Sequence, residues 1–287
     1  MDSTKLTKIN IFVNILLFVI KLVASIITNS ISIISDTLNT FLDIITAIIS
    51  NFAVKISGKD PDEDHRFGHS QAEPISALII AILAAVIGFE VIRSSIIRII
   101  NFQETILSQE AIIILIIAII FKLIISITYY KFGKKLNSPV IEAIGFDSRN
   151  DVLSTLIALV GFLLSTTDYY FFDSIFGLII GLFILKSSYD MSRKNLKYLM
   201  GRIPEDEEVY KVKNIVQEYD DVLEINDILG KYDGNNLLFE IDISINGDMS
   251  SFESCNLSNK IISKLEKKDN ISKVFVKMKP ITKNTKK

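Results

Sequence analysis

The chain has no tryptophan, one cysteine and two histidines among its 287 residues. The lone Cys255 excludes an internal disulfide and any metal site built on several thiolates. Both histidines, His65 and His69, fall in one connecting segment, so imidazole is not spread through the chain as a general ligand. Lysine and arginine are absent from the connections at 28–30, 101–108 and 167–171. A cleavable signal is also not expected. Residues 1–10 are short and polar, the first apolar run is long enough to span a bilayer, and no small-residue cleavage site follows it.

What the chain does have is apolar length. Hydrophobic residues make up 49% of it and mean hydropathy is +0.39, with the excess gathered in runs of about 20 residues, the length a helix needs to cross a bilayer. Such runs occur at 9–28, 31–56, 75–100, 110–130, 139–166 and 172–191. Their continuous apolarity predicts six transmembrane helices; barrel strands would alternate over about ten residues. The cations cluster on the other set of connections: Lys5 and Lys8, then Lys55, Lys59 and Arg66, then Lys131, Lys134 and Lys135, then Arg193, Lys194, Lys197 and Arg202. By the positive-inside rule both termini are expected in the cytoplasm, in a multi-pass protein of the plasma (inner) membrane.

Charged residues interrupt some of the runs. Lys21 lies in the first, Glu90 and Arg93 near the end of the third, and Lys122 in the fourth. Each is read as an internal ion pair or a snorkelling head group, or else as part of gating or a proton relay.

After Pro204 the composition becomes that of a small soluble fold. Residues 205–219 read as an amphipathic helix, 221–231 and 237–245 as strands split by the turn residues Asp233, Gly234 and Asn235, 249–267 as a helix and 271–278 as a strand. The expected fold class is therefore an α-helical membrane domain, residues 1–203, followed by an α+β domain of αββαβ, ferredoxin-like order at 204–287. A core of about 80 residues is small, and such a domain gains from pairing with a second copy.

The chemistry concentrates in two places. In the fifth run, Asp147 and Asp151 stand four residues apart, one helical turn, so their carboxylates point the same way. In the second run Asn39 and Asp43 repeat that spacing. An ionised carboxylate in lipid costs roughly 2.5–3.5 kcal/mol on insertion scales, so such groups face a polar cavity or an ion path. The four side chains offer no imidazole or thiolate, only oxygen ligands, which suits a hard divalent cation such as manganese(II) or magnesium and is a poor match for copper(I) or a dedicated zinc site. Asp36, three residues before Asn39, is either an accessory ligand or, more commonly for its position, an N-terminal cap. The second place is DPDEDHRFGHSQAE, where Asp62, His65 and His69 have a spacing that converges on one metal if the segment turns like a helix.

The whole chain resembles the cation diffusion facilitators. The likeness lies in six helices, the S-x-S-x-x-S-D run from Ser30 to Asp36 before a one-turn ligand pair, the D-x-D-H-x-F-G-H-x-x-A-E block, a second ligand pair in the fifth helix and a terminal αββαβ domain. The resemblance implies a transport site at Asn39, Asp43, Asp147 and Asp151, a loop site at Asp62, His65 and His69, and homodimers. Zinc-transporting members usually carry His where this chain has Asn39 or Asp147, so the set looks like the manganese-exporting bacterial branch. Zinc-binding members also place His at the positions of Asn226, Asp242 and Cys255, and His with Asp at those of Lys277 and Lys279. Two ammonium groups there would repel cations, and no family-type metal cluster is expected in that domain. Gln71 replaces the lysine that forms a charge interlock in some members.

The reading is thus a homodimeric divalent-metal/proton antiporter exporting manganese, with no covalent chemistry, organic cofactor or nucleic-acid partner. Within the class the alternative is a zinc, iron or cobalt exporter. From other classes come a membrane metal sensor, disfavoured by the missing cytosolic ligands, and an intramembrane aspartyl protease, whose G-x-G-D signature is absent.

Overall fold

The structure, a computed structural model, describes residues 3–101, 103–135, 139–165, 171–234, 236–268 and 270–281. Positions 167–170 of the expected fifth connection and the turn residue Asn235 lie outside them. The chain divides into two compact units, residues 1–51 with 79–192 and residues 52–78 with 193–287.

Six long helices come first: α1 (Ser3–Thr28), α2 (Ile31–Ser57), α3 (Ala72–Ile100), α4 (Gln109–Lys135), α5 (Pro139–Ser165) and α6 (Phe171–Leu199). Five of them are long and apolar enough to cross a membrane. Helix α5 has the length, 27 residues, but Asp147, Arg149 and Asp151 dilute its first half. The first unit carries its polarity inside. Lys21, Asp36, Thr40, Lys122, Asp151 and Thr155 are buried, whereas Phe12, Ile26, Ile82, Val86, Ile113 and Leu153 are exposed. This inversion of the soluble pattern follows when the surrounding medium is as apolar as the side chains that face it.

Helix α2 begins on a built cap. Ser30 accepts a hydrogen bond from the Ile33 backbone N–H at 3.2 Å. Asp173, in the first turn of α6, accepts from the N–H groups of Ile31 and Ser32 at 2.6 and 3.2 Å and from the hydroxyls of Ser30 and Ser32. The carboxylate thereby satisfies donors left open at a helix start and ties α6 to α2. Asp36, expected as a cap, instead lies in the second turn, where every N–H already has an intrahelical partner.

In the second unit, α7 (Asp206–Gln217), β1 (Val222–Asp233), β2 (Asn236–Asn246), α8 (Ser251–Leu265) and β3 (Ile271–Ile281) follow the expected order. The sheet order is β1-β2-β3, with β1 antiparallel and β3 parallel to the central β2. Antiparallel neighbours need only the tight turn, while the parallel pair needs a crossover, which α8 supplies. Phe239, Ile241 and Ile243 of β2 pack with Val212 and Val216 of α7 and Leu257, Ile261 and Leu265 of α8. A capping box starts α8: Ser250 accepts from the Glu253 N–H, and the Glu253 carboxylate accepts from the Ser250 N–H.

The segment before α3 belongs to this unit. Ser70 Oγ and Gln71 Nε2 donate to the two oxygens of Asp233 at 3.1 and 2.6 Å. Gly234 beside it has φ +62°, and a Cβ there would lie 2.1 Å from the Ser70 carbonyl oxygen, so only glycine fits. The Gln71 amide thus holds Asp233.

Candidate metal transport site

The first unit brings α2, α4 and α5 together around one cluster of oxygens. Helix α5 approaches α4 closely at Gly145, where a Cβ would sit 2.6 Å from the Tyr130 backbone nitrogen, and Ser126 Oγ donates to the Gly145 carbonyl at 2.8 Å. This close approach sets Asp151 of α5 against Lys122 of α4. Lys122 Nζ lies 2.5 Å from Asp151 Oδ2, with the lysine side chain 2% exposed. The same ammonium lies 3.8 Å from Asp43 Oδ2, which is buried and receives no hydrogen bond among the described residues. Asn39 Nδ2 reaches Asp151 Oδ1 at 3.4 Å.

Of the four residues expected to form the site, three are thus linked, Asn39 to Asp151 through its amide and Asp43 to Asp151 through the Lys122 ammonium they share. Asn39 and Asp43 come from α2 and Asp151 from α5. Asp147 sits one turn before Asp151 on α5 and is exposed. The spacing read from sequence is therefore realised on both helices. An oxygen-only set with one amide and carboxylates matches hard divalent cations.

Asp36 belongs to a neighbouring network that meets α5 at Thr155. Its Oδ2 lies 2.8 Å from Lys21 Nζ of α1, both side chains being almost fully buried. Lys21 also donates to Thr40 and Thr155 at 3.1 and 2.9 Å. The Thr155 hydroxyl stands 2.9 Å from the Asp151 carbonyl oxygen and 3.2 Å from Asp36 Oδ1. With its charge matched by Lys21, Asp36 pins α1, α2 and α5 together and is engaged away from the Asp43–Asp151 oxygens.

Both interrupting lysines form internal ion pairs. The sequence signal was there, a charge in a run of Ile and Leu, but which carboxylate each would meet was not. Glu90 and Arg93 pair with each other at 3.0 Å on the exposed side of α3.

In the second unit, Asp62, His65 and His69 do converge, with one ligand atom from each lying within 4.8 Å of the others. His65 Nδ1 and His69 Nε2 each stand 3.2 Å from an oxygen of Asp62. The convergence does not come from helical winding. Asp62 Oδ1 accepts from the backbone N–H groups of Asp64 and His65 at 3.1 and 2.7 Å, an Asx turn, and the chain reverses at Gly68 with φ +91°. The His65 N–H foremost, together with the His65 ring, holds the Asp62 carboxyl below its usual range. On the sheet, Asp242 accepts from Lys279 Nζ at 2.6 Å and from Asn226 Nδ2 at 3.1 Å. The Lys279 hydrogen bond is the main reason its carboxyl is also held low.

Comparison with known proteins agrees with this layout. Residues 7–200 match the model of the cation efflux transmembrane domain, and residues 204–281 that of the cation efflux protein cytoplasmic domain. An uncharacterized transporter of Methanocaldococcus jannaschii is 31% identical over 92% of this chain and 93% of its own length. The manganese efflux system protein MneP of Bacillus subtilis is 24% identical over 97% of this chain and 96% of its own. The cation-efflux pump FieF of Shewanella oneidensis is 23% identical over 85% and 82%. The two models between them span both units, and on that match the chain belongs to the cation efflux family, the cation diffusion facilitators, which are multi-pass membrane transporters of divalent metal ions.

Proposed function

We propose that the protein exports manganese(II) from the cytoplasm in exchange for protons, and that Asn39, Asp43, Asp147 and Asp151 are its transport ligands. The observation that carries this reading is the grouping of Asn39, Asp43 and Asp151 around the buried Lys122, with Asp43 Oδ2 receiving no hydrogen bond among the described residues. A buried carboxylate oxygen without a donor is costly, and a bound cation removes that cost. An amide carbonyl at position 39 in place of an imidazole favours manganese over zinc. The similarity to MneP supports the same metal, while the broader name of FieF leaves the family's other cations as the competing substrates.

In this reading metal loads from the cytoplasm onto ionised carboxylates, the helices rock about the site, and protons from the far side neutralise the carboxylates and release the metal. Binding and charge exchange suffice, with no covalent step. Residues 1–203 form the pathway in the plasma membrane with both termini cytoplasmic, and residues 204–287 pair two copies, consistent with the match to the cytoplasmic domain. Asp62, His65 and His69 form a second, cytoplasmic metal site.

The test is a metal-by-metal flux assay in proteoliposomes under an imposed pH gradient. Manganese flux that follows the gradient and disappears in Asp151→Asn is expected. Flux that ignores the gradient, or that favours zinc over manganese, overturns the assignment.

A further inference from the structure

Lys122 is more than a neutralising neighbour. Its ammonium lies 2.5 Å from Asp151 Oδ2 and 3.8 Å from Asp43 Oδ2. Two carboxylates, one from α5 and one from α2, thus share one ammonium. A divalent cation held by Asp43 and Asp151 must compete with the ammonium for the same two carboxylates. The side chain cannot leave: it is tethered to α4 and almost completely buried. We propose that Lys122 is an internal competitor for the transport site, an affinity- and specificity-setting residue whose ammonium is displaced from Asp151 by the incoming metal and returns to it as the metal leaves. This rests on the reading of Asp43 and Asp151 as metal ligands.

Two consequences follow from charge alone. The carboxylates of Asp43, Asp147 and Asp151 together with the Lys122 ammonium leave two net negative charges, which one divalent cation balances. A monovalent ion brings no more charge than the ammonium it must displace and lacks its tether, so sodium and potassium are kept out. The divalent ion wins on charge, but it must break a buried ion pair and then sit near the displaced ammonium, and both effects loosen its hold. A carrier that must release its cargo in each cycle gains from that loosening. Lys21 does not share the role, since its partner Asp36 is a separate carboxylate.

The experiment measures manganese binding to the full-length detergent-purified protein, and initial transport rates, for wild type, Lys122→Met, Lys122→Arg and Asp151→Asn. Lys122→Met keeps the apolar stem and removes the charge. It should bind manganese at least tenfold more tightly, lower both KM and kcat, and make binding sensitive to replacing choline with potassium at equal ionic strength. Unchanged or weaker binding in a folded Lys122→Met protein overturns the proposal, provided that Asp151→Asn has lost binding. If Asp151→Asn binds manganese as wild type does, the ligand assignment itself fails, which is a separate outcome. Should Lys122→Met not fold, Lys122→Arg decides. A guanidinium grips a carboxylate with two parallel donors, so its manganese Kd should rise above that of wild type, and an equal or lower Kd overturns the proposal.

Discussion

Lys122 with Asp151 and Lys279 with Asp242 are the same two groups at nearly the same separation, 2.5 and 2.6 Å, set in different surroundings. In the helical unit the lysine is 2% exposed, and in the α/β unit it is 55% exposed. Water screens the second pair, so its removal costs little. The first is shielded from water, so removing one partner strands the other. Contact distance therefore says little about what a charge pair does in this molecule. The helical unit needs its charges, because an apolar exterior leaves no other polar interior. The α/β unit has a conventional apolar core built on Phe239, Ile241 and Ile261, and its charges decorate the surface.

The largest effects should come from the carboxylates of the proposed transport site. Alanine at Asp43, Asp147 or Asp151 should each abolish manganese flux in proteoliposomes, since on the proposed assignment each deletion removes both a ligand and a charge. Their stabilities should separate. Asp151→Ala leaves Lys122 buried without its main partner and should lose about 3–5 kcal/mol in thermal or denaturant melts. Asp147 is exposed, and Asp147→Ala should melt close to wild type while being equally inactive. Near-normal flux from either variant would sink the ligand assignment, and equal destabilisation would erase the distinction between the two positions.

A smaller, selective effect is expected at Asn39, the one neutral member of the cluster. Imidazole is a softer donor than an amide carbonyl, and zinc ranks above manganese for nitrogen ligands. Asn39→His should raise the zinc-to-manganese ratio of initial rates by roughly tenfold, the ratio that about 1.4 kcal/mol produces. Asn39→Ala should lower manganese transport only partly. An unchanged ratio in the histidine variant would mean that Asn39 lies outside the coordination shell.

The α/β unit invites the converse test, of an association that does not depend on metal. Asp242, which could serve as a ligand, is occupied by Lys279 and Asn226, so pairing of two copies there should rest on packing. Sedimentation equilibrium of the full chain in density-matched detergent should give a dimer with and without chelator. A monomer that dimerises only when metal is added would contradict this.

How much of this is legible in the sequence differs between local and distant features. Apolar run lengths give the six helices, yet α1 starts at Ser3 and α6 ends at Leu199, well outside the runs at 9–28 and 172–191. An apolar run reports the thickness of lipid, whereas a helix continues as long as its backbone bonds do. The one-turn pairs Asn39/Asp43 and Asp147/Asp151 are legible because a helix period fixes relative direction. The partner of Lys122 is not, since it depends on α4 and α5 closing at Gly145. Nor is the cap of α2, because Asp173 lies far along the chain. The loop triad was legible as a cluster, but spacings of three and four also arise in an Asx turn, and here they do.

The smallest effect concerns the exposed pair itself. The hydrogen bond from Lys279, then that from Asn226, holds the Asp242 carboxyl below its ordinary range in the folded protein. A depressed folded-state value means that the unfolded chain takes up the proton more readily. The pair's contribution is therefore fully present above the ordinary carboxylate range and is lost as pH falls through the lowered folded value. Because Lys279 is exposed, salt should weaken the pair as well. Lys279→Met should change thermal stability at neutral pH only slightly, and the difference between variant and wild type should vanish in strong acid and shrink in high salt. A difference that persists at low pH would show that Lys279 acts through packing of its stem along β3 rather than through its charge. A loss at neutral pH as large as that of Asp151→Ala would mean that water does not separate the two pairs as their exposure says it does.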